Sequence, residues 1–244
     1  MKKIFLLFAL TFSFIIVKAQ GDYNFMPWGV GGGISTIRGY TNVAKQNNTL
    51  AAFGTFTWYY TPYVPITAEL QAGRLWGGSR VTDEYRREYE NNYIAFLIHG
   101  ELQLGQVINY QYSNFLNVLK NIYFGPGFGF VDNNVQNQRY NLIDQGYPVG
   151  TYRFPGSDHS IDPEFSVRVG YELKFYNEYD EPYLRVDFEY THNTVYGEGL
   201  DGYDDPPNKF KNQYPDQYRQ ITIGVKYDFG LIRAYTKRIK NLYY

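Results

Sequence analysis

From Glu164 to Phe175 the chain alternates without a break. Phe165, Val167, Val169, Tyr171, Leu173 and Phe175 are apolar, while Glu164, Ser166, Arg168, Gly170, Glu172 and Lys174 between them are polar, charged or glycine. Successive side chains of a strand point to opposite faces, so this segment has one apolar face and one charged face, a period that no helix holds. The pattern recurs in Leu184, Val186, Phe188 and Tyr190 against Arg185, Asp187, Glu189 and Thr191, and in Ile221, Ile223, Val225, Tyr227 and Phe229 against Gln220, Thr222, Gly224, Lys226 and Asp228. Read along the whole chain, it predicts eight strands near 26–35, 50–60, 66–76, 92–104, 121–131, 163–175, 182–192 and 218–229. Each is roughly ten residues long, the length a tilted strand needs to cross a bilayer.

Alternation alone also suits a soluble sandwich, whose apolar faces share a core. The connections separate the two. Gaps 36–49, 77–91, 132–162 and 193–217 are long and polar, whereas 61–65 and 176–181 are short turns. Long and short connections alternating around an even strand number predict an all-β, eight-stranded antiparallel up-and-down transmembrane β-barrel with long outer loops. The middle turn, Gly105 to Lys120, is longer than that rhythm asks for. Within it Tyr112, Phe115, Leu116 and Leu119 fall at helical spacing, which predicts one short periplasmic helix capped by Ser113 or Asn114 that seals the lower rim or, as the alternative, docks a partner. Pro126 removes a ladder donor from the fifth strand and calls for a bulge or kink there.

Composition supports the same reading. Aromatic residues make up 20% of the chain, with 27 Tyr and 18 Phe. Such rings settle in girdles at the two interfaces of a membrane barrel. Cysteine is absent, which excludes disulfides, thiolate chemistry and a lipid-anchored cysteine. Lys2 and Lys3, the apolar run from Ile4 to Val17 and the small residues Val17 and Ala19 read as a signal peptide over 1–19. The expected division is then a barrel over 20–230 and a basic periplasmic tail over 231–244. Without Lys2, Lys3 and Lys18 the chain keeps 20 basic against 24 acidic residues, a net charge near −4 that argues against nucleic acid as a partner.

If the apolar faces meet lipid, Glu69, Gln71, His99, Glu101, Gln103, Glu164, Arg168, Glu172, Lys174, Arg185, Asp187, Glu189, Lys226 and Asp228 point inward. Eight strands leave room for side chains and little else, so these charges must pair into a closed plug rather than line a pore. For lipid-modifying chemistry a histidine needs a serine and an acid beside it, open to the outer leaflet. The sequence places no inward serine beside His99, so His99 reads as a polar-core histidine, and neither a catalytic residue nor a cofactor is expected. Asp201, Asp204 and Asp205 lack the spacing of a Ca²⁺ loop and read as a solvated acidic loop. The run Arg86-Arg87-Glu88-Tyr89-Glu90 reads as an ordinary charged loop, with contact of Arg86 and Arg87 to lipopolysaccharide as the alternative. Beyond Phe229, Arg233, Lys237, Arg238 and Lys240 stand among Ile232, Tyr235, Ile239 and Leu242, an arrangement suited to interface anchoring or to docking a partner.

Thr222, Gly224, Tyr227 and Phe229 resemble the last-strand assembly signal of bacterial outer-membrane barrels, although the chain continues past the aromatic that usually ends it. The resemblance implies insertion by the Omp85-type assembly machinery into the bacterial outer membrane. The segment 20–230 is similar to the small eight-stranded barrels related to OmpA, OmpX and OmpW, and the Lys-Ala-Gln region with its tyrosine richness resembles the Bacteroidota type. A narrower resemblance is to the small barrel associated with the type IX secretion system, but Gly31-Gly32-Gly33-Ile34-Ser35 stands where that barrel's Gly-Asp pair is expected. The expected function is a non-enzymatic structural or accessory barrel of an envelope or secretion assembly, with protein partners there. A surface-binding, adhesin-like barrel and a lipid A-modifying enzyme are the alternatives.

Overall fold

A computed structural model describes residues 22–110, 113–204, 206 and 215–237. Strand β1 (Asp22–Phe25) precedes β2 (Trp28–Tyr40), β3 (Asn48–Thr61), β4 (Val64–Gly78) and β5 (Glu88–Gly100). The short β6 (Leu102–Gln103) and helix α1 (Asn114–Leu119) lead to β7 (Ile122–Asn137), β8 (His159–Tyr176), β9 (Pro182–Val195), β10 (Gln217–Phe229) and β11 (Arg233–Thr236). Strands β2, β3, β4, β5, β7, β8, β9 and β10 pair antiparallel in chain order, and β10 returns to β2 from Gln217↔Tyr40 to Phe229↔Trp28. The sheet is therefore a closed eight-stranded barrel with no open edge. Strand β1 pairs with β11 in a separate two-stranded sheet.

Outward positions carry an apolar belt. On β10 Ile221, Ile223, Val225, Tyr227 and Phe229 are exposed, and Phe124, Phe128 and Phe130 on β7 and Ile94, Phe96, Ile98 and Leu102 on β5 and β6 continue it. Trp28 stacks on Phe56 (ring centroids 5.4 Å) and Trp58 meets Tyr60 edge-on (5.9 Å) at the short-turn end. At the other end Arg38 and Arg219 both lie over the Tyr40 ring. A continuous exposed apolar belt between aromatic rims is stable in hydrocarbon, not in water. Among the described residues no helix is long and apolar enough to cross a membrane.

Every expected strand forms, and the long-loop ends run further than the apolar alternation. β7 continues to Asn137 and β8 starts at His159, where outward residues such as Asp132, Asn134 and His159 are polar. The hydrophobic signal stops at the bilayer edge, whereas backbone pairing does not. Strands β1 and β11 lack any length of alternation and were not expected. Pro126 causes no register shift: β7 pairs β8 straight through Pro126↔Val167, while the bonded ladder to the neighbouring strand breaks between His99↔Gly127 and Leu102↔Phe124. The missing donor falls in that break. Ser113 caps α1 through Leu116 N–H, as the spacing implies, but Phe115 points to solvent at 70% exposure, so the helix buries less of its apolar face than a seal would.

The closing seam explains Gly224. Its backbone lies under Phe53, and a Cβ at Gly33, its partner across the seam, would come within 2.2 Å of the Ile223 carbonyl oxygen. Thr222 beside it shares a 2.8 Å hydrogen bond with Ser35.

Candidate functional site

Three polar or aromatic assemblies stack along the barrel axis: the lumen, a crown of long loops above it and a lid of aromatic rings below. In the lumen Arg168 of β8 reaches across to β4, β5 and β9. Its guanidinium pairs with Glu69 (2.8 Å), Glu101 (3.1 Å) and Glu189 (3.3 Å) and donates to Nε2 of His99 (2.7 Å). Tyr123 and Thr191 donate to the carboxylate of Glu189 at 2.9 and 2.6 Å. One layer down, Arg185 pairs with Glu172 (2.7 Å) and Asp228 (2.6 Å) and lies 4.0 Å over the Tyr59 ring. Lys174 approaches Glu172 at 3.4 Å, and Lys226 pairs with Asp187 at 3.2 Å. One layer up, Tyr218 donates to Glu164 (2.9 Å) and Gln71 donates to Gln220 (2.6 Å). All fourteen side chains read as inward from the alternation lie in this network.

The sequence gives no sign that a serine would reach His99, yet Ser166 Oγ lies 3.2 Å from its Nδ1. The two sit on β5 and β8, which flank β7, and their side chains meet over Gly127, the β7 residue that pairs with both. Guanidinium nitrogens only donate, so Nε2 accepts from Arg168 and the proton is on Nδ1, pointing at Ser166. A nucleophile needs the reverse, a histidine that accepts the serine proton. Both side chains are fully buried, which closes the pair to a lipid. His192 bonds Gln217 (3.1 Å), and His159 pairs with Asp132 (3.1 Å) on the outer wall.

The crown is formed by the loops 41–47, 79–87 and 138–158 and by the described residues 196–204, 206, 215 and 216. Arg87 is buried at its centre rather than presented to lipopolysaccharide. It faces Asp83 (3.6 Å), donates to the Asn42 carbonyl (2.9 Å) and lies over the rings of Tyr85 and Tyr203. Asp83 in turn accepts from Ala44, Tyr85 and Arg87 N–H groups, which ties two loops together. Tyr203 donates to the Glu88 or Gln138 carbonyl and meets Phe154 edge-on at 5.7 Å. Burial pushes its hydroxyl above the usual tyrosine range. Arg139 donates to Gly202 (2.8 Å) and Asp158 (2.9 Å). Asp201 is buried rather than solvated and accepts from Tyr203 N–H, while Asp204 is exposed and Asp205 lies outside the described residues. Asp216 accepts from Leu200 N–H, and burial beside Asp201 pushes its carboxyl well up. Among the described residues no group of three acids or histidines is arranged to hold a metal ion.

The lid joins both chain termini. β1 and β11 lie across the short-turn end, with Tyr23, Phe25 and Tyr59 buried together against Tyr235. Tyr63 and Tyr110 share a 2.5 Å hydrogen bond, and Tyr235 donates to Gln106 at 3.1 Å. Lys237 donates to the Gly105 carbonyl (2.5 Å) and the Ile108 carbonyl. It shares the Tyr110 ring with Lys120 (4.8 and 4.7 Å). Burial, with Lys237 beside it, lowers the Lys120 amine to about 8. Arg233 is exposed at the start of β11, and Arg238 and Lys240 lie outside the described residues.

The chain is thus a small closed barrel with a plugged lumen, an ordered crown and a lid. No family model matches it, and comparison with curated proteins finds no sequence match. Among solved structures it is similar to Neisserial surface protein A, at 8% identity and a TM-score of 0.44, over 86% of this chain and 100% of that one. It is similar to Ail, the attachment invasion locus protein of Yersinia pestis, at 10% identity and a TM-score of 0.44, over 84% and 99%. A third is the outer membrane enzyme PagL, at 14% identity and a TM-score of 0.29, over 80% and 99%. The eight-strand closure itself is read from the strand pairing of this chain.

Proposed function

We propose that the chain is a closed, non-enzymatic barrel of the bacterial outer membrane that works by binding through its crown. The observation that carries this is the packing of the four long loops around Arg87, Phe154 and Tyr203. Loops with no task at the surface have no need of a buried core of their own, and a pre-ordered surface binds without the entropy of ordering it. Ion pairing throughout the lumen supports the closed state, and the buried, reversed Ser166–His99 pair speaks against catalysis. Insertion by the Omp85-type machinery goes with the last-strand pattern from Thr222 to Phe229, and the exposed belt calls for lipid and lipopolysaccharide around it.

The test replaces residues 138–158 with a short Gly-Ser turn in cells that display the barrel. Loss of surface adhesion, with heat stability and bilayer silence unchanged, is the expected result. Unchanged adhesion, or steady single-channel openings from the purified wild type, would overturn the reading. A second reading, an accessory subunit of an envelope or secretion assembly such as the type IX system, is favoured by the β1–β11 sheet, whose two strands bond only each other. A periplasmic partner strand can add to such an edge. Under that reading, mild-detergent capture brings down an envelope protein that is lost on deleting residues 231–244.

A further inference from the structure

We propose that the crown carries a saccharide-binding cleft between its second and third loops, specific for neutral or amino-bearing sugars. The inference rests on the binding role of the crown and names the ligand class. The cleft has a volume of about 370 Å³ and is lined by Glu84, Tyr85, Ile143, Asp144, Gln145, Tyr147 and Tyr152. That lies within the range of small-ligand sites, about 300–1,000 Å³.

Gln145 decides the chemistry. Its amide nitrogen and oxygen are both shielded from solvent, and neither has a hydrogen-bond partner. Leaving such a group unpaired costs free energy, which a ligand that both donates and accepts there restores. A hydroxyl group does both, and neighbouring hydroxyls on a pyranose ring can engage both ends of one amide. An ammonium or guanidinium satisfies the oxygen alone and leaves the N–H groups without an acceptor. Glu84 and Asp144 add carboxylates that accept from hydroxyls or an amino group, and the lining contains no cation, so sulfated or carboxylated sugars are repelled. The tyrosine rings supply the flat apolar surface on which the C–H face of a sugar rests.

The cleft is also held in shape. Tyr147 stacks on Tyr152 (5.0 Å), Tyr152 meets Phe154 edge-on (5.5 Å), and Phe154 meets Tyr203, so the aromatic wall is anchored in the buried crown. Asp144 caps the turn at Gly146, whose φ of 83° suits glycine, by accepting its N–H at 2.9 Å. The aromatic wall is therefore in place before the sugar arrives, and only the Gln145 amide, shielded in this conformation, has to turn toward the cleft to meet it.

The test is saturation-transfer NMR on the full barrel in a polyoxyethylene detergent, which has neither a sugar nor a cationic headgroup. Glucose, galactose, mannose, N-acetylglucosamine, glucosamine, a sulfated disaccharide and an N-acetylarginine amide are the probes. Transfer to at least one neutral or amino sugar is expected. Its affinity should fall about tenfold or more in Gln145→Ala and in Tyr147→Ala, with thermal unfolding unchanged. Displacement of that sugar by the cell's own lipopolysaccharide would assign the ligand to the surrounding membrane, and no displacement to a glycan outside it. Transfer to no sugar, transfer only to the sulfated or arginine probe, or unchanged affinity in Gln145→Ala would overturn the proposal. If adhesion still depends on residues 138–158 when the sugars fail, the saccharide assignment falls alone; if adhesion fails too, the crown's binding role falls with it.

Discussion

Arg168 donates to Nε2 of His99 at 2.7 Å, and this one contact settles which nitrogen of a fully buried histidine carries its proton. It also places a cation at the point where the carboxylates of Glu69, Glu101 and Glu189 converge. The contact thus sets the role of the middle of the lumen: a tie between opposite walls of the barrel.

Replacing Arg168 with Met should leave Glu69, Glu101 and Glu189 without the cation that pairs with all three. Breaking a buried ion pair by removing one partner costs about 3–5 kcal/mol. Urea unfolding of the barrel in lipid vesicles should show a loss of that size for Arg168→Met. The quadruple variant that also turns the three glutamates into Gln should recover much of it. A loss under about 1 kcal/mol would mean that the network is exposed to water in the membrane-bound protein.

Ser166→Ala and His99→Ala should leave the cell's lipid A unchanged. The serine accepts rather than gives a proton at Nδ1, and no lipid reaches the pair. Mass spectrometry of extracted lipid A from cells carrying each variant reads this directly. A mass change that appears with the wild type and vanishes with either variant would make the lumen a catalytic site.

The barrel was legible because lipid on one side and packed charges on the other impose a strict two-residue period from Glu164 to Phe175, and the inward charges followed from it. What joins those charges was not legible. Ser166 and His99 are 67 positions apart and meet because Gly127 of β7, which pairs with both, has no side chain to stand between them. The crown was hidden for a different reason. Arg87 and Asp201 are charged residues in polar loops, a pattern that reads as solvated, and both are buried by partners from other loops. Strands β1 and β11 are four residues each, too short for any period to show.

Raising the pH should strengthen the lid. The Lys120 amine ionises near 8 in the folded protein and near 10.5 when unfolded, so between these values the unfolded chain binds more protons. The penalty for charging Lys120 is present in full below about pH 8 and is relieved as pH rises beyond it. Other groups titrate over the same range, so the difference between wild type and Lys120→Met is the quantity to follow. Unfolding midpoints from pH 7 to 9.5 should rise for the wild type relative to Lys120→Met, and parallel curves would remove the proposed burial of that amine.

Pairing of the two termini predicts a cross-link. Asn24 stands opposite Ala234 in the β1–β11 sheet. Both side chains are exposed, and the chain has no cysteine of its own. Directly opposed residues of antiparallel strands lie within the Cα separation that a disulfide spans, about 4.4–6.8 Å. Oxidation of the Asn24→Cys, Ala234→Cys double variant should therefore close a ring from one end of the barrel to the other. It should appear as a faster-running unfolded band on a non-reducing gel, absent from either single variant and lost on adding a thiol. Its unfolding midpoint should rise, because the link restricts the unfolded chain. Failure to oxidise in vesicles, alongside ready oxidation of a control pair in a barrel strand, would show that the tail leaves β1. The free β11 edge would then be the surface offered to a periplasmic partner.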